Sequence, residues 1–234
     1  DVESVDLIIH TLAIDDSHAI IKQAIKFNIP YINYPQALGI TTNEKKLIAI
    51  SGTHGKTTTT GMLIDIFHKT NIEYSALIGS KLIGHNNQNY IKKENSLFFI
   101  IEACEYKNGF LNYQPETLVI TNLEHEHFDH FKTENEYIES FQKLINQTKK
   151  NLILNKDCKL TQKLTIPKNL KVQYFSKNNP IKYNFLIDHN NDNANAASLT
   201  AMSYGIRVNK ITEALNNFKG TKRRQEIIYQ NQNI

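Results

Sequence analysis

The stretch Leu47-Ile48-Ala49-Ile50-Ser51-Gly52-Thr53-His54-Gly55-Lys56-Thr57-Thr58-Thr59-Thr60 restricts the fold more than any other part of the chain. An apolar run suited to a buried strand enters a turn with two glycines and continues as a helix. Glycine lets backbone N–H groups approach and wrap a phosphate, and a helix N-terminus adds positive potential. In such a turn Lys56 reaches β- and γ-phosphates and the Thr57 hydroxyl is placed to ligate Mg²⁺. The strict spacing G-x-x-x-x-G-K-[ST] requires a glycine at the position of Ile50, so the match is to a shortened variant. A strand-to-helix turn without a ligand is the plain alternative, and the flanking strand and helix favour the phosphate.

The remaining chain repeats the alternation of apolar runs with helical patterns. Strands are predicted over 5–10, 31–34, 47–50, 75–78, 97–103, 118–123, 152–154, 172–175 and 185–187. Helices are predicted over 17–27, capped by Asp16 or Ser17, then from the glycine turn to about 69, and over 134–148, 193–204 and 209–218. Gly205 and Gly220 are read as helix stops, and the polar stretch 41–46 as a linker. This order predicts an α/β fold with a mostly parallel sheet covered by helices on both faces. Both ends fall inside regular patterns, 5–10 at the start and an alternating 224–234 at the end, so the chain is expected to be a segment of a longer one.

Composition removes other classes. The 234 residues are 40% hydrophobic and 21% charged, which suits a soluble globular chain of one large or two small domains. The formal net charge of +4 is too small and dispersed to argue for nucleic acid. No apolar run approaches the 18 or more residues of a membrane span. Two cysteines, Cys104 and Cys158, make no disulfide framework, which suits a reducing cytoplasm.

In an open parallel sheet, ligands sit beyond the carboxyl ends of the strands. Two predicted strands end there in suitable groups: Glu102-Ala103-Cys104-Glu105-Tyr106, and Asn122-Leu123-Glu124-His125-Glu126-His127-Phe128-Asp129-His130. A carboxylate and an imidazole from neighbouring strand ends would complete an Mg²⁺ shell begun by Thr57, although Mg²⁺ prefers oxygen to nitrogen. His125, His127, Asp129 and His130 also fit the H-x-H-x-D-H spacing of zinc hydrolases. Simple solvated histidines are the third reading. A P-loop switch or transport ATPase would need an aspartate after an apolar strand, where this chain has Glu102 and His127.

These residues together resemble the Mur ligases. Gly52-Thr53-His54-Gly55-Lys56-Thr57-Thr58-Thr59 resembles their phosphate loop, most closely in the alanine-adding members, and Glu102-Ala103-Cys104-Glu105-Tyr106 resembles the strand-end acidic motif of those members. Asn122-Leu123-Glu124-x-x-His127-x-Asp129 resembles the family's Asn-x-Glu-x-Asp-His-x-Asp turn. His189-Asn190-x-x-Asn193-Ala194 resembles the helix start that faces adenine, and Lys222-Arg223-Arg224 resembles the hinge into the last domain. The resemblance implies a P-loop-type central domain at 44–222, the tail of a Rossmann-like nucleotide-sugar domain at 1–43, and the hinge and start of an amino-acid domain at 223–234.

It also implies that Lys56 and the loop residues Gly52, Thr53, His54, Gly55, Thr57 and Thr58 grip ATP. Thr57 and Glu102 would bind the first Mg²⁺, and His127 would sit at the metal and the substrate carboxylate. Asn190 and Asn193 would contact adenine, and Arg224 would reach the γ-phosphate. The implied reaction joins L-alanine to UDP-N-acetylmuramate through an acyl phosphate, in the cytoplasm, for peptidoglycan synthesis. This segment alone is expected to bind ATP weakly and not to ligate. A member attaching another amino acid or a murein peptide is the alternative, and the oligomeric state is left open. Two departures stand out: Glu126 replaces an aspartate, and Ile78-Gly79-Ser80-Lys81 stands where relatives carry paired glycines. Gln142 and Lys143 lie near the position of a modified lysine in some members, and neither is assigned.

Overall fold

The computed structural model describes residues 2–176, 178, 183 and 189–224. It begins with a small parallel βαβ unit: β1 (Ile8–His10), α1 (Ala19–Lys26) and β2 (Tyr31–Asn33), with Ile8 opposite Tyr31. α2 (Tyr34–Thr42) follows at once. The main sheet starts with β3 (Lys46–Ser51), and α3 (Lys56–Lys69) leads to β4 (Tyr74–Leu77) and β5 (Tyr90–Ile91). β6 (Phe98–Glu102) is joined by a 3₁₀ segment, Tyr106–Asn112, to β7 (Thr117–Ile120). Then come α4 (Glu134–Gln147), β8 (Asn151–Asn155), β9 (Lys171–Phe175), α5 (His189–Ser203) and α6 (Val208–Asn216).

Among the described residues the main sheet has seven strands, in the order β5-β4-β6-β3-β7-β8-β9. Only the edge strand β5 is antiparallel, against β4. Period-two alternation divides each central strand between two cores. Ile48, Ile50, Ile100, Val119 and Ile153 pack beneath α3, α5 and α6 with Met62, Ile66, Ala197 and Ile211. Leu47, Ala49, Ile101, Leu118 and Leu152 pack beneath α4 with Tyr137, Phe141 and Leu144. Burial on both faces is why these strands read as continuous apolar runs. The expected α/β class and two-sided helix cover are found.

Strand order also locates a crevice. From β3 the chain moves to β4 and β6 on one side, then returns across β3 to β7 on the other. β3 is therefore the switch point, and the connections at its carboxyl end diverge around an open space. Among the described residues no helix is long and apolar enough to cross a membrane.

Several local expectations are corrected. α1 is capped by His18, whose side chain accepts from the Ile20 amide, not by Asp16 or Ser17. The Ser17 hydroxyl and amide are both held by Asp15 Oδ1, so the serine is engaged in the preceding turn. The linker at 41–46 shrinks to 43–45, because Thr41 and Thr42 finish α2 and Lys46 opens β3. The missed helix had a local signature: Asn33 and Gln36 form a capping box, with Pro35 in the first turn. Gly205 does stop α5. Its amide bonds to Met202 O and the Ile206 amide to Ala201 O, with Gly205 at φ 83°, the Schellman arrangement. Gly220 is not a stop, since α6 already ends against Asn217. The expected strand at 185–187 and the pattern after Arg224 lie outside the described residues.

Phe67 tests the α3 core. It is fully buried and meets Phe98, Tyr74 and Tyr204 edge-on at 5.5, 6.1 and 6.2 Å between ring centroids. Phe67→Ala is expected to cost about 3–5 kcal/mol, read as a lower urea midpoint.

Candidate functional site

The turn between β3 and α3 owes its shape to two glycines and one asparagine. Gly52 has φ 124° and Gly55 φ 82°. A Cβ on Gly52 would lie 2.7 Å from the Asn122 carbonyl oxygen and overlap Thr121 Oγ1, and one on Gly55 would overlap the side-chain oxygen of Asn193. Asn122 fixes the turn from the end of β7: its carbonyl accepts from the Thr53 amide at 3.1 Å and its Oδ1 from the His54 amide at 2.8 Å. Thr53 Oγ1 lies 2.9 Å from Glu124 O, 2.8 Å from the Glu124 amide and 2.8 Å from Tyr137 Oη. A hydroxyl has one proton and two lone pairs, so Thr53 donates to the carbonyl and accepts from the amide and from Tyr137. Burial, reinforced by the Glu105 carboxylate, pushes the Tyr137 hydroxyl well up, which keeps it a donor.

α3 therefore begins at a rigid turn and carries no capping side chain. Its first amides have no intrahelical acceptor, and the helix dipole adds to their potential. The Thr57 hydroxyl lies 2.9 and 3.0 Å from the two carboxylate oxygens of Glu102, and the Gly79 amide donates to the same group at 2.9 Å. The glycine at 79 thus gives Glu102 room and an amide. Lys56 Nζ bonds back to Gly52 O and, at 3.0 Å, to Thr53 O.

His127, with φ 55°, sits in the turn after β7, its ring 5.1 Å from that of Tyr106. Its Nε2 lies 3.6 Å from Glu105 Oε1. Among the described residues, Glu105, Glu126 and His127 bring ligand atoms within 4.8 Å of one another, a spacing suited to a cation. Two acidic groups therefore flank the turn, Thr57 with Glu102 and His127 with Glu105 and Glu126. His54 Nε2 is exposed, 3.5 Å from Glu126 and 3.8 Å from Glu124.

On the other side, α5 closes against the turn. Asn193 Oδ1 accepts from Thr59 Oγ1 at 3.3 Å, and its Nδ2 donates to Asn190 Oδ1 at 3.4 Å. A cavity of about 420 Å³ opens there, lined in part by His54, Gly55, Thr58, Asn193 and Arg224. The structure thus gathers Gly52, Thr53, His54, Gly55, Lys56, Thr57, Thr58, Glu102, His127, Asn190, Asn193 and Arg224 around one strand end. His189 forms the first residue of α5.

The zinc-hydrolase alternative is corrected by the same geometry. His125 Nε2 bonds to Phe131 O at 3.0 Å, His130 Nε2 to Asn108 Nδ2 at 3.0 Å, and Asp129 accepts from Tyr106 at 3.1 Å. The four residues of that spacing face separate partners. Gln142 bonds to both the amide and carbonyl of Thr165, bracing a loop, and Lys143 is exposed. Sequence reasoning gave no role to Glu105, Asn122 or Tyr137. The signal for Glu105 was its place three residues past Glu102, still beyond the strand end.

Residues 50–218 match the Mur ligase middle domain. The UDP-N-acetylmuramate–L-alanine ligase of Borreliella burgdorferi is 39% identical over 157 residues, 66% of this chain and 33% of that protein. The enzyme of the same name from Desulfitobacterium hafniense is 31% identical over 259 residues, 99% of this chain and 57% of that protein. The chain spans about half the length of the curated relatives it matches along most of its own length. Among solved structures, UDP-N-acetylmuramate-alanine ligase MurC from Thermotoga maritima superposes with TM-score 0.82 at 23% identity, covering 97% of this chain and 58% of that one. UDP-N-acetylmuramate:L-alanyl-gamma-D-glutamyl-meso-diaminopimelate ligase from Neisseria meningitides gives 0.79 at 23% identity, covering 94% and 80%. At that identity the likeness is one of fold.

Proposed function

Because this chain belongs to the Mur ligase family, we propose that it forms the ATP-binding part of a ligase joining L-alanine to UDP-N-acetylmuramate in the cytoplasm. Residues 44–222 are the ATP-binding domain in this reading, 1–43 the end of a nucleotide-sugar domain, and 223–234 the hinge towards an amino-acid domain. The observation that carries the proposal is the Thr57–Glu102 contact beside an uncapped helix start at the switch point of the sheet.

The donors suit the groups they would hold. A hydroxyl and a carboxylate are hard oxygen ligands, the set Mg²⁺ prefers, so Thr57 and Glu102 would hold the first ion and His127 a neighbouring position. When bound, Mg²⁺ supplies charge neutralisation on the phosphate oxygens. Triphosphate lies along the first amides of α3, with Lys56 at the β- and γ-phosphates, and adenine enters the cavity beside Asn190 and Asn193. The muramyl carboxylate attacks the γ-phosphorus, ADP leaves, and the amine of L-alanine then displaces phosphate from the acyl phosphate.

Two anions must be brought into contact for the first step, so the chain's task is positioning and neutralisation. Lys56 and Arg224 supply positive charge from opposite sides of the turn, Lys56 from α3 and Arg224 from the cavity wall. Isothermal titration with ADP tests the reading. The protein is expected to bind MgADP more tightly than ADP in EDTA. Thr57→Val is expected to weaken MgADP by about tenfold, about 1.4 kcal/mol, while leaving metal-free ADP nearly unchanged. Absence of nucleotide binding, or equal loss with and without metal, would overturn the assignment.

A further inference from the structure

Glu105 is fully buried, and the mechanism above gives it no task. A buried carboxylate must be paired, and its partners here come from two separate segments. Lys56 Nζ, at the first residue of α3, lies 3.3 and 3.2 Å from its two oxygens. His127 Nε2, from the turn after β7, lies 3.6 Å away.

Lys56 has three protons and four acceptors around it: Gly52 O, Thr53 O and both oxygens of Glu105. The ammonium is thus fully engaged before any phosphate arrives. To meet a phosphate it must give up one of these bonds. The two carbonyls belong to the turn that leads directly into Lys56, and Asn122 and the close approach at Gly52 hold that turn in place. Glu105 stands on a different element, just before the 3₁₀ segment, so its bond is the one open to exchange.

We propose that Glu105 is a positioning residue that acts through Lys56, holding the lysine across the turn and competing with the β-phosphate for it. This rests on the nucleotide-binding reading above. Its charge works against polyphosphate binding, and its geometry fixes where the lysine stands when phosphate arrives. Once Lys56 turns to phosphate, the carboxylate is left facing His127 and Glu126, so loading the turn also alters the charge balance at that second acidic group.

The test is titration of the full chain with ADP and with AMP, both in EDTA. AMP carries no β-phosphate for Lys56 to meet. Glu105→Gln keeps the volume and removes the charge, and it is expected to tighten ADP by about tenfold while leaving AMP unchanged. Glu105→Asp keeps the charge on a shorter arm and is expected to tighten ADP by less. It is the variant to use if the glutamine protein fails to fold. ADP affinity that is unchanged or weaker in a folded variant, or a gain shared equally by AMP, would overturn the proposal. If the wild-type chain bound neither nucleotide, the nucleotide-binding reading itself would fall.

Discussion

Lys56→Met is expected to weaken MgATP binding by at least about a hundredfold, or about 2.7 kcal/mol, and to destabilise the protein as well. The first effect follows from taking away the one side-chain cation that stands over the turn from its own helix. The second follows from Glu105: the lysine is only 14% exposed and the carboxylate is fully buried. Removing one member of a buried pair leaves the other uncompensated, which typically costs about 3–5 kcal/mol. Here His127 remains beside the carboxylate, so the lower end of that range is expected. Titration calorimetry reads the binding and urea unfolding reads the stability. A variant with wild-type affinity would show that phosphate is not held by this turn. Wild-type stability with lost binding would show that the Lys56–Glu105 pair contributes nothing in the absence of ligand.

Gly52→Ala is expected to damage the fold and the site together. At φ 124° an L-residue is strained whatever surrounds it, and the new methyl would also press on the Asn122 carbonyl at 2.7 Å. The carbonyl cannot yield without losing its bond from the Thr53 amide. Strain and overlap together are expected to cost about 4 kcal/mol or more, at the upper end for single substitutions. Gly205→Ala is the control. Gly205 also has positive φ, 83°, but nothing lies within 4 Å of the added carbon, so about 1 kcal/mol of backbone strain is expected. Equal losses in the two variants, measured by urea unfolding, would mean that backbone conformation alone accounts for the glycine at 52.

Much of the molecule was legible in the chain because its signals are local. Parallel strands buried on both faces announce themselves as apolar runs such as 47–50 and 118–120, and α4 through an apolar stripe behind Thr133, which forms a capping box with Glu136. Elsewhere the local signals conflict. The α2 signature at Asn33 and Gln36 begins on the last residue of β2, where a strand pattern masks it. Ser17 has the residue type of a cap, but Asp15 accepts from both its amide and its hydroxyl in the preceding turn. β5, only two residues long, offers too short a run for any period to show.

From residue order alone follow the alternation of strand and helix, the glycine turn between Ile50 and Lys56, and the acidic and histidine residues beyond the ends of two later strands. Each of these depends on hydrophobic period or backbone freedom over a few residues. Which of those groups meet is a matter of lateral strand order, and no local pattern encodes it. β6 and β7 flank β3, and that placement sets Glu102 against Thr57 across 45 positions of chain and Glu105 against Lys56 across 49. The pairing arises because two apolar faces must be covered at once, and a choice made by packing over the whole sheet leaves no trace in any single stretch of residues.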